Sequence, residues 1–304
     1  MRLTSLTKKV LIIAAVIFSI TSCTGKGGRE ITDRSGRTVT IKTSINRIVS
    51  TAPSNTEIIY DLQQAHKLVA IDRHSANIAG ISEVLPKLDF FYPDAEVIIN
   101  LEPDIIIASG HNATGTGEDP FRLLREMGIP VVYISMSKSI DEIYNDIAFI
   151  ADILYAEKEG EHLINSMKAQ VTEILQKASG IESRKAVYFE ISTAPDMMTF
   201  GKDSFIDDMI SVIGARNIFE NDNWFIMPSA EAVITRNPDV ILTNVNYIDD
   251  PIGEIKNRPG FTHINAVINN RIYQIDNDSS SRPSSRIIPA LRQMSQAVYP
   301  ELYE

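Results

Sequence analysis

The sequence predicts an α/β chain of two lobes of related design joined by one long helix. Three observations predict it. Short apolar, β-branched runs alternate with helix-period segments, one phrase recurs in both halves, and a long proline-free stretch lies between them. At 44% hydrophobic residues the chain can bury two ordinary cores, whereas a single core rarely serves more than about 250–300 residues.

The N-terminus reads as an export signal. Arg2, Lys8 and Lys9 precede the apolar run Val10–Cys23 (VLIIAAVIFSITSC), which is shorter than the roughly 20 apolar residues a membrane span needs. Cys23 is the only cysteine, so it has no disulfide partner, and Ile20-Thr21-Ser22-Cys23 resembles a bacterial lipobox. Lipidation there would tether the mature chain to the membrane rather than thread it through. The expected division is a leader over 1–22, a tether over 23–30, an N-terminal lobe over 31–155, a bridging helix over 156–180 and a C-terminal lobe over 181–304. Losing three basic residues with the leader takes the net charge from −10 to −13. That acidity disfavours nucleic acid and anionic membranes as partners.

After the tether, Ile31–Ile41 (ITDRSGRTVTI) reads as a small hairpin turning at Ser35-Gly36, an ornament at an edge. The runs at 48–50, 68–71, 104–108 and 130–134 read as buried, mostly parallel strands, and 55–63, 95–100 and 120–127 as helices between them. The pattern restarts with strands at 185–190, 238–242 and 271–275 and helices at 205–213, 230–235 and 287–299. The segment AEVIINLEPDII from Ala95 matches AEAVITRNPDVI from Ala230 nearly position by position. In both, a helix with an early glutamate stops before Pro-Asp and a buried strand follows. Between the halves, 140–178 is helical with a break near Leu154-Tyr155-Ala156. Its second part carries Leu163, Ile164, Met167, Val171, Ile174 and Leu175 as an apolar stripe, a stiff spine of roughly 30 Å.

Several motifs together resemble the ABC-importer substrate-binding proteins for metal chelates such as cobalamin, haem and iron siderophores. They are RIVSTAPSNTEIIYDL from Arg47, LEPDIII from Leu101, GKDSFIDDMISVIGARNIF from Gly201, RNPDVIL from Arg236 and RPGFTHINAVINNRIYQID from Arg258. The resemblance covers 47–299. It implies two Rossmann-like lobes with mostly parallel sheets, a ligand held between them, a stiff bridging helix and small opening motions. It also implies that Glu96 and Glu231 pair with arginines of the permease, although a first-turn acid is also favoured by the helix dipole. The implied partners are a metal chelate, the permease with its ATPase, and the membrane through a lipid on Cys23. The chain is expected to be a monomer without a cofactor of its own.

By position in that family, the cleft should receive Ser54, Asn55, Arg73, His74, Phe90, Tyr92, Ser109 and His111 from the first lobe. From the second it should receive Trp224, Phe225, Arg282 and Arg286. Strand ends are where open α/β sheets place ligands. The aromatics suit a flat chelate or ordinary packing, and the arginines suit carboxylate or phosphate. His74 and His111 read as axial ligands to a haem or cobalt centre, or as ordinary loop histidines. The absence of a tyrosine at position 74 and of a tryptophan near Ser109 weakens direct transfer from the cobalamin binders. The five histidines show no HxH or HExxH spacing, so no free zinc or manganese site is expected. Gly115-Thr116-Gly117 reads as a turn.

No GxSxG elbow, paired-carboxylate motif or Cys-His arrangement supports an enzyme. Two alternatives stay open. A chelatase of similar two-lobed shape would use a His-Glu pair in its cleft and turn over, and a surface scaffold lipoprotein would bind no small molecule.

Overall fold

The computed structural model describes residues 28–114 and 119–303. The leader, Cys23 with the first part of the tether, and the Gly115–Gly117 turn lie outside the described residues. The N-terminal lobe runs β1 (Gly28–Thr32), β2 (Thr38–Lys42), β3 (Ile48–Ser50), α1 (Pro53–Asp61), β4 (Leu68–Asp72), β5 (Lys87–Leu88), α2 (Ala95–Asn100), β6 (Ile105–Ser109), α3 (Gly110–Thr114), α4 (Arg122–Glu126) and β7 (Val131–Ile134). Helices α5 (Ile140–Ile153) and α6 (Glu157–Ala178) follow. The C-terminal lobe runs β8 (Ala186–Glu190), β9 (Thr199–Phe200), α7 (Phe205–Val212), β10 (Arg216–Asn217), β11 (Phe225–Ile226), α8 (Ala230–Arg236), β12 (Val240–Thr243), α9 (Pro251–Asn257), α10 (Asn265–Ile268), β13 (Ile272–Gln274), α11 (Asn277–Ser281) and α12 (Ile287–Val298).

Each lobe is built on one parallel sheet, ordered β5-β4-β3-β6-β7 in the first and β10-β8-β12-β13 in the second. Their strands read as unbroken apolar runs because both faces are covered. In β6, Ile105 and Ile107 face the core shared by both lobes, while Ile106 and Ala108 face a core private to the first. In β12, Val240 and Leu242 join the shared core and Ile241 the private core of the second. This is the two-residue alternation of a pleated strand.

The shared core makes one body of the two lobes. Met167, Val171 and Ile174 of α6 are buried in it together with Ile143, Ile147 and Ile150 of α5, Ile206 and Met209 of α7, and Leu291 and Met294 of α12. The expected break falls where Tyr155 turns left-handed at φ 57°. It lets α6 fold back on α5, and Gly160 permits the close approach, since a Cβ there would sit 2.5 Å from that of Ala151.

The repeated phrase is a repeated structure. Glu102 and Asn237 both take φ 44° before their prolines. Asp104 then donates its N–H to the Arg47 carbonyl (2.8 Å) and accepts the Arg47 N–H (3.0 Å). Asp239 makes the same pair with Ala186, at 2.8 and 2.9 Å. Each aspartate thereby pins the start of the strand beside it.

Two expectations need correcting. The tether ends earlier than expected, for Gly28–Glu30 are already paired in β1 and Arg29 Nη1 donates to Asp152 (2.9 Å). The hairpin is more than an ornament. Arg34 N–H donates to the Tyr133 carbonyl (3.1 Å), the Tyr133 N–H donates to Asp33 (3.0 Å), and Arg34 pairs with the buried Asp146 at 2.6 Å. The turn thus covers the free edge of β7, which pairs in the sheet only with β6.

Gly160→Leu forces the α5–α6 contact apart. A loss of about 1–3 kcal/mol is expected from overpacking, read as a lower urea midpoint at unchanged slope.

Candidate functional site

The ends of β3, β4 and β6 on one side, and of β8 and β12 on the other, open onto a cavity of about 800 Å³. That is within the range of small-molecule sites. Of the expected residues, Ser54, Asn55, Arg73, His74, Phe90, Ser109, His111, Trp224 and Arg282 line it. Tyr92, Phe225 and Arg286 do not. Tyr92 stands 70% exposed and Phe225 43% exposed outside the cleft, and Arg286 pairs with Asp61 of α1 at 3.4 Å.

Rings form the apolar walls. His74 meets Phe90 edge-on at 6.0 Å between centroids, and Phe90 meets Phe91 at 4.9 Å. Across the cleft, Phe200 meets Trp224 edge-on at 5.5 Å, and Phe205 adds a further ring to the lining. Amides and hydroxyls complete the surface, with Asn55, Asn77, Asn244, Asn246 and Asn277 among them. His111 opens toward the cavity with its Nδ1 3.3 Å from Ser109 Oγ. The walls around it desolvate its imidazole and hold its pKa below the ordinary histidine value.

The charged groups of the lining are already paired. Arg73 meets Asp89 at 2.6 Å. Arg282 meets Glu57 of α1 at 2.9 Å and Asp278 at 2.7 Å, and donates to the His74 carbonyl and to Asn77 Oδ1, each at 3.1 Å. Arg282, expected to suit a carboxylate or phosphate of the ligand, thus already spends donors on the junction between the lobes. Glu57 also accepts from Ser284 Oγ (2.6 Å). Burial pushes the Glu57 carboxyl above the ordinary glutamate value, against the opposing pull of Ser284 and Arg282.

Asn244 and Asn246 were legible but missed. They stand 135 residues after Ser109 and His111, the offset of the internal repeat, and so occupy the same strand-end positions in the second lobe. Ser204 was also missed. Its Oγ caps α7 by accepting from Asp207 N–H (3.2 Å), in the S-x-x-D spacing that marks a helix start.

Glu96 and Glu231 lie outside the cleft, exposed in the first turns of α2 and α8. Among the described residues neither has a basic partner within salt-bridge distance. No group of three or more metal-ligating side chains occurs among the described residues.

A family described as periplasmic binding protein matches residues 48–279. The chain belongs to that family. It is a substrate-binding protein and not an enzyme. It is 32% identical over 276 residues, 90% of this chain and 86% of the relative, to the uncharacterized ABC transporter substrate-binding lipoprotein YvrC of Bacillus subtilis. A vitamin B12-binding protein of Vibrio campbellii is 26% identical over 82% of this chain and 88% of its own. A crystal structure of a possible iron-binding, periplasmic solute-binding protein of Staphylococcus epidermidis matches with a TM-score of 0.76 at 32% identity, over 84% of this chain and 100% of that one. The α/β fold with two parallel sheets is the one this chain shares with that structure.

Arg282→Met strands Glu57 in the junction, and a loss of about 3–5 kcal/mol is expected near neutral pH. Glu57→Gln/Arg282→Met should recover most of it. The Glu57 pKa is raised in the folded state, so its neutral form favours folding at low pH and that contribution fades as pH rises through the raised value. The deficit of Arg282→Met should therefore shrink as pH falls from neutral toward about 5, measured by denaturant titration at each pH.

Proposed function

We propose that this chain is the extracytoplasmic, lipid-anchored substrate-binding component of an ABC importer. It takes a metal chelate into the cleft and delivers it to the permease through Glu96 and Glu231. The observation that carries the reading is the cleft itself, a preformed space between two lobes, walled by rings and amides, in which each charged side chain is already matched. A flat, weakly charged chelate with amide groups at its rim, of the corrinoid kind, fits such walls through ring contact and neutral hydrogen bonds. A polyanionic ferric complex would meet no uncompensated arginine or lysine among the described residues of the lining and would incur the desolvation cost of its carboxylates. The vitamin B12-binding relative supports the same choice.

Lipidation of Cys23 is part of the proposal, supported by the leader pattern and by the lipoprotein relative. No helix among the described residues is long and apolar enough to cross a membrane. Among the described residues Glu57, the one glutamate that reaches the lining through Arg282, is engaged by Arg282 and Ser284 and forms no pair with a histidine, which does not support the chelatase alternative.

A thermal-shift screen of cobinamide, cobalamin, haem, ferric citrate and ferric siderophores tests this. A corrinoid at about 100 times its dissociation constant should add roughly 2.7 kcal/mol, a shift of several degrees for a chain of this size. Trp224→Ala should weaken that binding about tenfold or more. Silence across the panel would sink the importer reading, and a shift with ferric citrate alone would sink the neutral-chelate choice.

A further inference from the structure

We propose that Tyr92 and Met227 are a matched pair of apolar docking posts, one on each lobe. They insert beside Glu96 and Glu231 into two equivalent apolar pockets on the outer face of the permease. The proposal rests on the importer reading above and adds to it the groups that set the lifetime of the complex.

The internal repeat extends upstream of the glutamates. Tyr92-Pro93-Asp94-Ala95-Glu96 aligns with Met227-Pro228-Ser229-Ala230-Glu231 at the same offset of 135 residues. The two segments are built alike. In each the proline is buried, the next residue caps the helix, the alanine is half-buried and the glutamate is exposed. Asp94 accepts the Glu96 and Val97 N–H groups, and Ser229 accepts that of Ala232. Four residues before each glutamate, a large apolar side chain is held in solvent, Tyr92 at 70% exposure and Met227 at 58%.

Neither side chain lines the cleft, so ligand contact does not account for them. A lone exposed apolar residue needs no explanation. Two of them at equivalent positions, each four residues before an exposed acid that has no basic partner among the described residues, form a repeated two-part surface. A partner that meets both copies in the same way must itself offer two equivalent sites, which a two-fold symmetric dimer does. Each site would hold a cation for the glutamate and an apolar recess for the post. Tyrosine suits such a recess with a rigid ring and methionine with an adaptable chain.

The two groups divide the work. Exposed charges mainly steer encounter and give it salt dependence, while buried apolar anchors mainly slow dissociation. The test measures both rates. The mature chain, expressed with its own leader so that it is processed and lipidated on Cys23, is bound to each chelate-importer permease–ATPase complex of the source cell, reconstituted singly in nanodiscs. Tyr92→Ser and Met227→Ser should each speed dissociation about 5- to 30-fold with association within about twofold of the unmodified chain. The double variant should show roughly the product of the two effects. Glu96→Gln and Glu231→Gln should instead slow association and flatten its salt dependence. Chelate binding by both post variants should be unchanged, which also shows that they fold. Unaltered dissociation in the serine variants, beside weakened binding in the glutamine variants, overturns the posts and leaves the importer reading standing. An effect at one post alone overturns the matched pair. Failure of the unmodified chain to bind any of the complexes overturns the importer reading and the posts with it.

Discussion

Glu57 and Arg282 meet at 2.9 Å across the junction of the two lobes, and the shape of the cleft depends on that contact. A buried ion pair is a weak source of net stability, since desolvation consumes most of the Coulomb attraction. Its value lies in direction. The guanidinium reaches Glu57 and Asp278 and also the backbone of His74, so α1, the loop after β4 and the end of α11 are fixed relative to one another. Ser284 on Glu57 and Arg286 on Asp61 extend the seam along the same helix.

Behind this seam the lobes share one apolar core through α5 and α6. The N–H of Ile140, at the start of α5, donates to Asp208 of α7 (2.8 Å), which ties the two halves from a second side. Such a body resists wide opening, because separation of the lobes would expose the Met167–Val171–Ile174 stripe to water. Selection of ligand then falls to the standing chemistry of the walls. Rings supply area, amides supply direction, and Arg73 and Arg282 each stand beside a carboxylate.

Much of this was written in local pattern. The strands β3, β6, β8 and β12 were legible because each is covered on both faces and so reads as an apolar run. The two-residue strands β5, β9, β10 and β11 were not, since two residues carry no period. Glu96, Glu231 and the aspartates that follow them were found through the repeat, which is a local signal occurring twice. Arg282 lines the cavity as expected, but its pairing with Glu57, 225 residues away, follows from no pattern along the chain. Tyr92 and Phe225 were expected in the cleft by position in the resembled family, yet of those two loops Phe90, Phe91 and Trp224 line it. Asn244 and Asn246 show the reverse, a signal present in the repeat and not carried through to its consequence.

The central claim is that the two lobes are one cooperative body around a preformed cleft. Native-state hydrogen exchange at increasing denaturant tests it most directly, with the amides of β6 and β12 followed together as reporters of the two sheets. Loss of protection in both strands through one shared transition is the predicted result. Two resolved transitions, with one sheet exchanging while the other stays protected, would show that the lobes are held only loosely and would contradict the account.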